Sequence, residues 1–389
     1  MERFNVNLRH LRAFLAIMET GSVTAAARAV HLTQPAVTQG IAKLERRFEA
    51  SLFERQPGQM IPTPAAELLA YRAAPIMRLV GQARATAAQV SAFLALARAG
   101  GYAGAATAMD LSEASVHRAV SDLSLALGQT LVERRGRGVV LTARGFALAR
   151  NFRLALAELR SADVELAALR GQETGRITIG AMPLSRARVL PSAIAAFHRV
   201  KSDIDVVVVE GSYAELAGPL HDGEIDMMVG AVRPRVSADI TQTALFDDPL
   251  IVLAAAHHPL ARAAEAPTIA DLARFPWIVA AAGTPLRNHW RSIFETAGVE
   301  PPRVPIECGS VMMVRQILIE SDFLTLLSPD QVSVELEAGW LVKIESAASL
   351  PSRTIGLTLR ADWRPTPAQA TMINLIEGQA RLLGDHETS

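Results

Sequence analysis

Thr33, Gln34, Ala36, Thr38, Gln39 and Lys43 place hydroxyl, amide and ammonium groups along one short segment around the apolar Val37. Short polar side chains near a helix N-terminus suit hydrogen bonding to base edges and phosphates in a DNA major groove. Thr33 can cap that helix, and Pro35 fits its first turn, where a missing N–H costs nothing. Ser22 can cap the helix before it. Arg55, in Leu52-Phe53-Glu54-Arg55, is placed for backbone phosphate on a hairpin that turns around 56–59. The pattern returns further on. Ser112 caps again, with Ser115, His117 and Arg118 behind it, and Arg134, Arg135 and Arg137 crowd a second hairpin.

The elements that must hold these groups are themselves repeated. Residues 13–69 match 92–148 at a constant offset of 79, with 16 identities in 57 positions. A unit present only twice, before an unrelated half, is a duplicated module and not a solenoid. Leu8–Thr20 has helical apolar spacing and Gly21 ends it. Val23–Val30 is a second, Ala-rich helix, and His31-Leu32 forms a turn. A third helix runs to about Phe48 and buries Val37, Ile41 and Leu44. Val116, Val120 and Leu123 keep that face in the second copy. There Glu113 replaces Gln34, Ala114 replaces Pro35 and Asp122 replaces Lys43. Two readings stand for this copy: it holds DNA backbone more than bases, or it only packs or dimerises. The glycine-rich run at 100–106 falls at a helix turn of the repeat, which discounts a phosphate loop.

The chain has 389 residues, enough for two to four units. Its 39 Lys/Arg balance 39 Asp/Glu, but unevenly. Residues 1–171 carry 21 basic against 13 acidic groups; residues 172–389 carry 18 against 26. A basic half suits a polyanion and an acidic half something else. The basic groups are mostly Arg, which forks onto phosphate. One cysteine, Cys308, excludes an intramolecular disulfide. With no apolar run long enough to span a membrane and no secretory pattern at the start, a cytoplasmic protein is expected.

The run FLAIMETGSVTAAARAVHLTQPAVTQGIAKLERRFEASLFER resembles the N-terminal domain of LysR-type transcriptional regulators. The resemblance rests on the aromatic-led first helix, the Gly-Ser turn, the Leu-Thr-Gln-Pro-Ala-Val start and the LFER wing. It implies a winged helix-turn-helix at 1–62 and a linker helix at 63–89. A second winged helix-turn-helix follows at 90–141, and a linker or dimerisation helix at 142–171. The second linker keeps the family's Thr142-x-x-Gly145 opening; the first has Ala66 at that glycine. Leu148, Phe152, Leu156, Leu159 and Leu166 form an apolar stripe that fits an interhelical seam, with packing on the chain's own domains as the alternative.

From 174 the pattern changes to alternating strands and helices: 176–180, 190–199, 205–210, 214–222 and 226–230. That alternation predicts a parallel sheet with helices on both faces, binding at strand C-terminal ends. RITIGAMP, LPSAIAAF, LFDDPLIVLAAAHHPLA and SDFLTLLSP resemble the effector domain of the same family. The combination FDDPL, PWIVAAAGTPLR and LRADWRPTPAQ brings the likeness nearest to the galactose-binding protein regulator subgroup. It implies a two-lobed α/β fold of the type 2 periplasmic binding-protein kind over 174–389. Lobe I covers about 174–248 and 350–389, and lobe II about 256–348. The effector cleft would then be lined by Met182, Pro183, Ser185, Arg186, Phe246, Gly283, Thr284, Arg287, Ser310 and Val311. Ser185, Thr284 and Ser310 are the leading polar groups, with charge from Arg186 or Arg287.

No nucleophile elbow, HExxH helix or Walker loop occurs, so no catalytic site is expected. His257-His258 before Pro259 reads as a turn and not a metal site, and Cys308 as a small buried residue. No cofactor is expected beyond a small-molecule effector: a sugar, sugar acid or aromatic acid. The expected partners are double-stranded DNA, a second copy as homodimer or homotetramer, and RNA polymerase; no membrane is expected. The rival reading is a small-molecule sensor whose N-terminal modules, one or both, serve only for assembly.

Overall fold

A computed structural model describes residues 4–56, 59–81, 85–136, 138–183, 188–345, 350 and 352–387. Two compact units divide the chain. The first comprises 1–176 with 203–205 and 221–224, and the second comprises the rest.

The first unit opens with helices α1 (Leu8–Thr20), α2 (Val23–Ala29) and α3 (Gln34–Phe48), the hairpin β1 (Phe53–Gln56) and β2 (Gln59–Pro62), and helix α4 (Pro64–Val80). The same order recurs as α5 (Ala87–Ala99), α6 (Tyr102–Met109), α7 (Glu113–Leu127), β3 (Val132–Arg135), β4 (Gly138–Leu141) and α8 (Ala143–Leu169). Local chemistry sets these boundaries. Ser22, Thr33, Thr63, Ser112 and Thr142 each accept a backbone N–H at the head of the following helix. Gly21 closes α1 with φ of 65°, and Gly100 closes α5 with φ of 69°. Gly101 stands where Ser22 does and offers no side-chain cap to α6.

The stretch 63–89 is not one helix. Gly81 ends α4 at φ 68°, and Thr86 with Gln89 forms a capping box that starts α5. Gly145 lies against the Leu131 carbonyl so closely that an added Cβ would overlap it, which explains the glycine of the Thr142-x-x-Gly145 opening. Phe152, Leu159 and Leu166 are buried, with Leu148 and Leu156 half-buried beside them. This stripe packs on α4 of the same chain, and one continuous core joins both copies.

In the second unit the elements are β5 (Gly175–Ala181), α9 (Val189–Val200), β6 (Ile204–Glu210), α10 (Tyr213–His221), β7 (Met227–Ala231), β8 (Ile240–Pro249) and β9 (Ile251–Ala255). There follow α11 (Ile269–Leu272), β10 (Ile278–Val279), α12 (Pro285–Thr296), β11 (Ile306–Glu307), α13 (Val311–Ile319), β12 (Thr325–Leu327), α14 (Ser333–Glu337), β13 (Leu341–Lys343), β14 (Ser352–Arg360) and α15 (Pro367–Glu387). The five-stranded sheet has the order β6-β5-β7-β14-β8. It is mixed, not parallel as the alternation predicts. β5 and β7 are parallel, but β14 returns late in the chain and runs antiparallel to β7 and β8. The valines of β6 form an edge strand, with Val208 and Val209 exposed. A second, antiparallel sheet has the order β12-β9-β13, beside a parallel β10–β11 pair. The chain passes from the first sheet to the second at Leu250 and returns between β13 and β14. Trp277, Trp290 and Phe294 meet edge to face at 5.3–5.9 Å and fill the second lobe.

Candidate nucleic-acid interface and ligand cleft

Helix α3 buries Val37, Gly40, Ile41, Leu44 and Phe48. The opposite side leaves Thr33, Gln34, Pro35, Thr38, Gln39 and Lys43 exposed, with Ala36 half-exposed. Thr33 Oγ1 accepts from the Ala36 N–H at 3.4 Å, and Gln34 Nε2 donates to Thr24 Oγ1 at 2.7 Å. Thus Gln34 is held by α2 through its amide nitrogen. Ser22 Oγ accepts from Ala25 N–H at 3.5 Å and is half-buried, which makes it a cap first. The ring of His10 packs on Gly40, and burial first, then the Lys43 charge, pulls the His10 pKa below its ordinary value. The side chain of Arg55 lies outside the described residues; its backbone is in β1.

Helix α7 repeats the arrangement with different groups. Ser112 Oγ accepts from Ser115 N–H at 3.2 Å, and the two hydroxyls meet at 2.8 Å. Ser115 is therefore tied to the cap. The His117 ring rests on Tyr102 at 5.0 Å, while Arg118 is exposed. Arg134 and Arg135 are exposed on β3, and Arg137 lies outside the described residues. Glu113 and Asp122 share the exposed face, so this helix is less cationic than its hairpin.

The second unit brings two helix N-termini to one edge. β10 and β11 pair in parallel, with Val279 opposite Glu307 and the Cys308 N–H on the Val279 carbonyl at 2.9 Å. Each strand then leads into a helix, α12 capped by Thr284 and α13 capped by Ser310. Paired N-termini favour an anion or hydroxyl. Gly283 turns with φ of 80° before them. Thr284 has its hydroxyl donating to Ala281 O at 2.8 Å while accepting from Arg287 N–H. Ser310 is exposed and accepts from Met313 N–H at 3.5 Å; Val311 beside it is half-buried. Arg287 lies over Trp290 at 4.8 Å and reaches Glu307 at 3.3 Å, yet its Nε is buried with no hydrogen-bond partner.

In the first lobe the expected residues divide. Met182 is a core residue: its side chain packs over Gly230, where a Cβ would overlap it, among Leu216, Leu220 and Ile225. Pro183 is half-buried, and Ser185 and Arg186 lie outside the described residues. Phe246 sits half-buried on β8 opposite Ile355, beside a register shift in the ladder. Sequence reasoning missed the charged groups where the lobes meet. Arg188 reaches Asp330 at 3.4 Å, and buried Arg353 donates from Nε to Asp248 at 2.6 Å and from a terminal nitrogen to Gln331 at 3.4 Å. Only the acidic pair in FDDPL hinted at them.

His258 caps a short 3₁₀ turn, Pro259–Arg262, as the sequence suggests. Its Nδ1 accepts from Leu260 N–H at 3.1 Å, and Nε2 lies 3.3 Å from the Asp322 carbonyl. Cys308 is half-buried, not buried, with Sγ 3.8 Å from the Ser310 carbonyl. Burial is the main force that lowers the His258 pKa, against the opposing Asp322 carbonyl. A lowered histidine contributes stability above its unfolded pKa and loses it as pH falls. Protonation would also aim two N–H groups at each other at Leu260. Melts of the wild type should therefore lose stability as pH falls below about 6.5, and His258→Asn should flatten that dependence. Equal pH slopes in the two proteins would rule out this role for His258.

Comparison with known proteins gives matches across nearly the whole chain. A profile described as "Bacterial regulatory helix-turn-helix protein, lysR family" matches residues 8–67 and again 87–146. A profile described as "LysR substrate binding domain" matches residues 170–381. The HTH-type transcriptional regulator GalR of Pseudomonas putida is 31% identical over 384 residues, covering 95% of this chain and 96% of that protein. The HTH-type transcriptional regulator GbpR of Azospirillum brasilense is 28% identical over 225 residues, 58% of this chain and 66% of its own. Among solved structures, full-length OxyR of Pseudomonas aeruginosa superposes with a TM-score of 0.56 at 21% identity, covering 76% of this chain and 94% of that one.

Proposed function

The chain belongs to the LysR family of bacterial transcriptional regulators, and from that premise we propose how its parts divide the work. It is a ligand-responsive transcription regulator with helix-turn-helix DNA binding and an effector-binding domain. The reading of the chain as a sensor with purely structural N-terminal modules is not favoured. The finer reading assigns base contacts to α3, through Gln34, Thr38 and Gln39, with Lys43 and Arg55 on phosphate. The second copy, 90–141, holds mainly backbone through Arg118, Arg134, Arg135 and Arg137. The observation that carries this is the division of α3 into a buried apolar side and an exposed polar one. The alternative for the second copy, packing alone, is weakened by its arginine hairpin.

The effector binds between the lobes of 174–389, against the helix heads at Thr284 and Ser310. Arg287, which follows the Thr284 cap, adds positive charge beside these helix heads, which favours a ligand with a carboxylate, such as a sugar acid or aromatic acid. Ligand-dependent closure of the lobes then shifts how the DNA-binding unit meets its operator. The protein acts in the cytoplasm as a homo-oligomer, with RNA polymerase as partner if it activates. Among the described residues no helix is long and apolar enough to cross a membrane.

The test of DNA reading is the salt dependence of affinity for upstream duplex against random duplex. If the six named cations each neutralise a phosphate, the log–log slope should be about −5. No preference over random duplex at physiological salt would overturn the base-reading assignment.

A further inference from the structure

We propose that the two N-terminal modules of one chain form an internal heterodimer through α4 and α8, so that this helix pair is closed within the chain and unavailable for pairing between chains. The clause that both modules meet DNA rests on the function proposed above; the pairing itself does not.

Three observations carry it. First, α4 and α8 are the same element of the repeat, each following its own hairpin, and they pack on each other. Contact between equivalent elements of two like units is an isologous arrangement, the geometry of a two-fold dimer. Here both units belong to one polypeptide. Second, the hydrophobic core runs without a break from Phe4 in the first copy to Leu166 at the end of the second. It is reinforced where Phe4 N–H donates to Ser91 Oγ at 3.0 Å, across the two copies.

Third, the charges at the seam distinguish the copies. Arg72 on α4 is fully buried and binds two carboxylates of α8, Glu158 at 3.1 Å and Glu165 through both Nε, at 2.8 Å, and a terminal nitrogen. Burial works against its charge, but the two carboxylates outweigh that and raise the Arg72 pKa. Arg47 at the end of α3 makes a fork onto Asp163 at 2.8 and 2.9 Å. None of these groups is repeated. At the offset of 79, Arg72 corresponds to Asn151, Glu158 to Leu79, Glu165 to Thr86 and Arg47 to Ala126. Pairing α4 with a second α4 would bury Arg72 against Leu79 without a counter-charge. Pairing α8 with a second α8 would leave Glu158 and Glu165 facing Asn151. Both like-with-like pairings leave buried charge unmatched, whereas the unlike pairing satisfies it, so specificity comes from what the wrong pairing costs.

One chain therefore presents two unequal DNA modules as a fixed pair. A site bound by this pair is asymmetric, with one half read by α3 and its neighbour held by the arginine hairpin. Any chain-to-chain association must use another surface.

The experiment is a test of cis against trans pairing in the full chain, in a Cys308→Ser background. Two differently tagged chains are co-expressed, one carrying Arg47→Cys and the other Asp163→Cys, and treated with a bis-maleimide that spans the observed fork. A single chain carrying both substitutions is the comparison. The expected result is efficient cross-linking only in the double variant, at the mass of one chain. A cross-linked species containing both tags would overturn the proposal, since the seam would then lie between chains. A second measurement uses charge reversal. Arg72→Glu should abolish the cooperative melt of the first unit, and Glu158→Arg with Glu165→Arg in the same chain should restore it. Co-expressing the two reversals on separate chains should not. Rescue in trans, or an Arg72→Glu chain that melts like wild type, would each refute the pairing. A chain that cross-links in cis yet shows no duplex preference would instead refute only the DNA reading.

Discussion

An Ala36→Asp chain is expected to lose specific DNA affinity by on the order of a hundredfold, about 3 kcal/mol. The substitution puts a carboxylate between Thr33 and Thr38, on the side of α3 that would face phosphates and base acceptors. Like charge in a desolvated contact costs several kcal/mol. The helix itself should survive. Ala36 is the third residue after the Thr33 cap, where a carboxylate can reach back to the cap N–H and interacts well with the helix dipole. Loss of binding with an unchanged melting temperature is thus the expected pair of results. The matched variant Ser115→Asp occupies the same place in α7. It should cost about tenfold or less if that module holds mainly backbone through its hairpin. Footprints of both variants check this. Unchanged protection by Ala36→Asp would remove α3 from the interface, and equal losses would make both helices base readers.

Much of this architecture is legible because it is written locally. Caps at Ser22, Thr33, Ser112 and Thr142, glycines at 21 and 100, and the apolar spacing of α3 and α7 each act within a few residues of where they stand. The errors have equally local or expressly long-range causes. Residues 63–89 are rich in alanine and look like one helix, but a single left-handed Gly81 and the Thr86–Gln89 capping box cut it. The mixed sheet was hidden because β14 comes from 352–360 and its antiparallel pairing to β7 leaves no mark in either strand. Met182 follows a strand end that should open onto a cleft, yet the absence of a side chain at Gly230 lets it turn into the core. The Arg72 seam joins residues 86 and 93 positions apart. Nothing in a run of alanines and leucines distinguishes a buried arginine from a solvated one. The proposed effector contacts are the least legible, because Thr284 and Ser310 serve as helix caps whether or not they also meet a ligand.

Asp248→Ala should destabilise the second unit by about 3–5 kcal/mol, a large part of the 5–15 kcal/mol that holds a typical domain together. Asp248 and Arg353 are cross-strand neighbours on β8 and β14, and their side chains are only 6% and 8% exposed. Burial lowers the Arg353 pKa, and the Asp248 charge opposes that shift. Removing the carboxylate leaves a guanidinium in the interior with little to offset its desolvation. It remains linked to Gln331 of the other lobe, but a neutral amide cannot balance a charge. Asp248→Asn keeps an acceptor of the same shape and should cost less. The double variant Asp248→Leu/Arg353→Met should recover most of the loss, because a buried ion pair exchanged for apolar side chains is often neutral or better. Urea unfolding of the three proteins decides the matter, and an Asp248→Ala midpoint equal to wild type would mean that the pair is solvated. If the double variant is stable, the reason for the pair is not stability. It stands one residue pair from the Ser352–Pro249 end of the ladder and two residues before the crossing at Leu250. A charged pair there fixes the register of β8 against β14 at the point where the chain crosses between the sheets, the place at which the proposed closure would hinge. The stable double variant should then respond to an effector with a smaller conformational change than wild type, which ligand-dependent protease protection can measure.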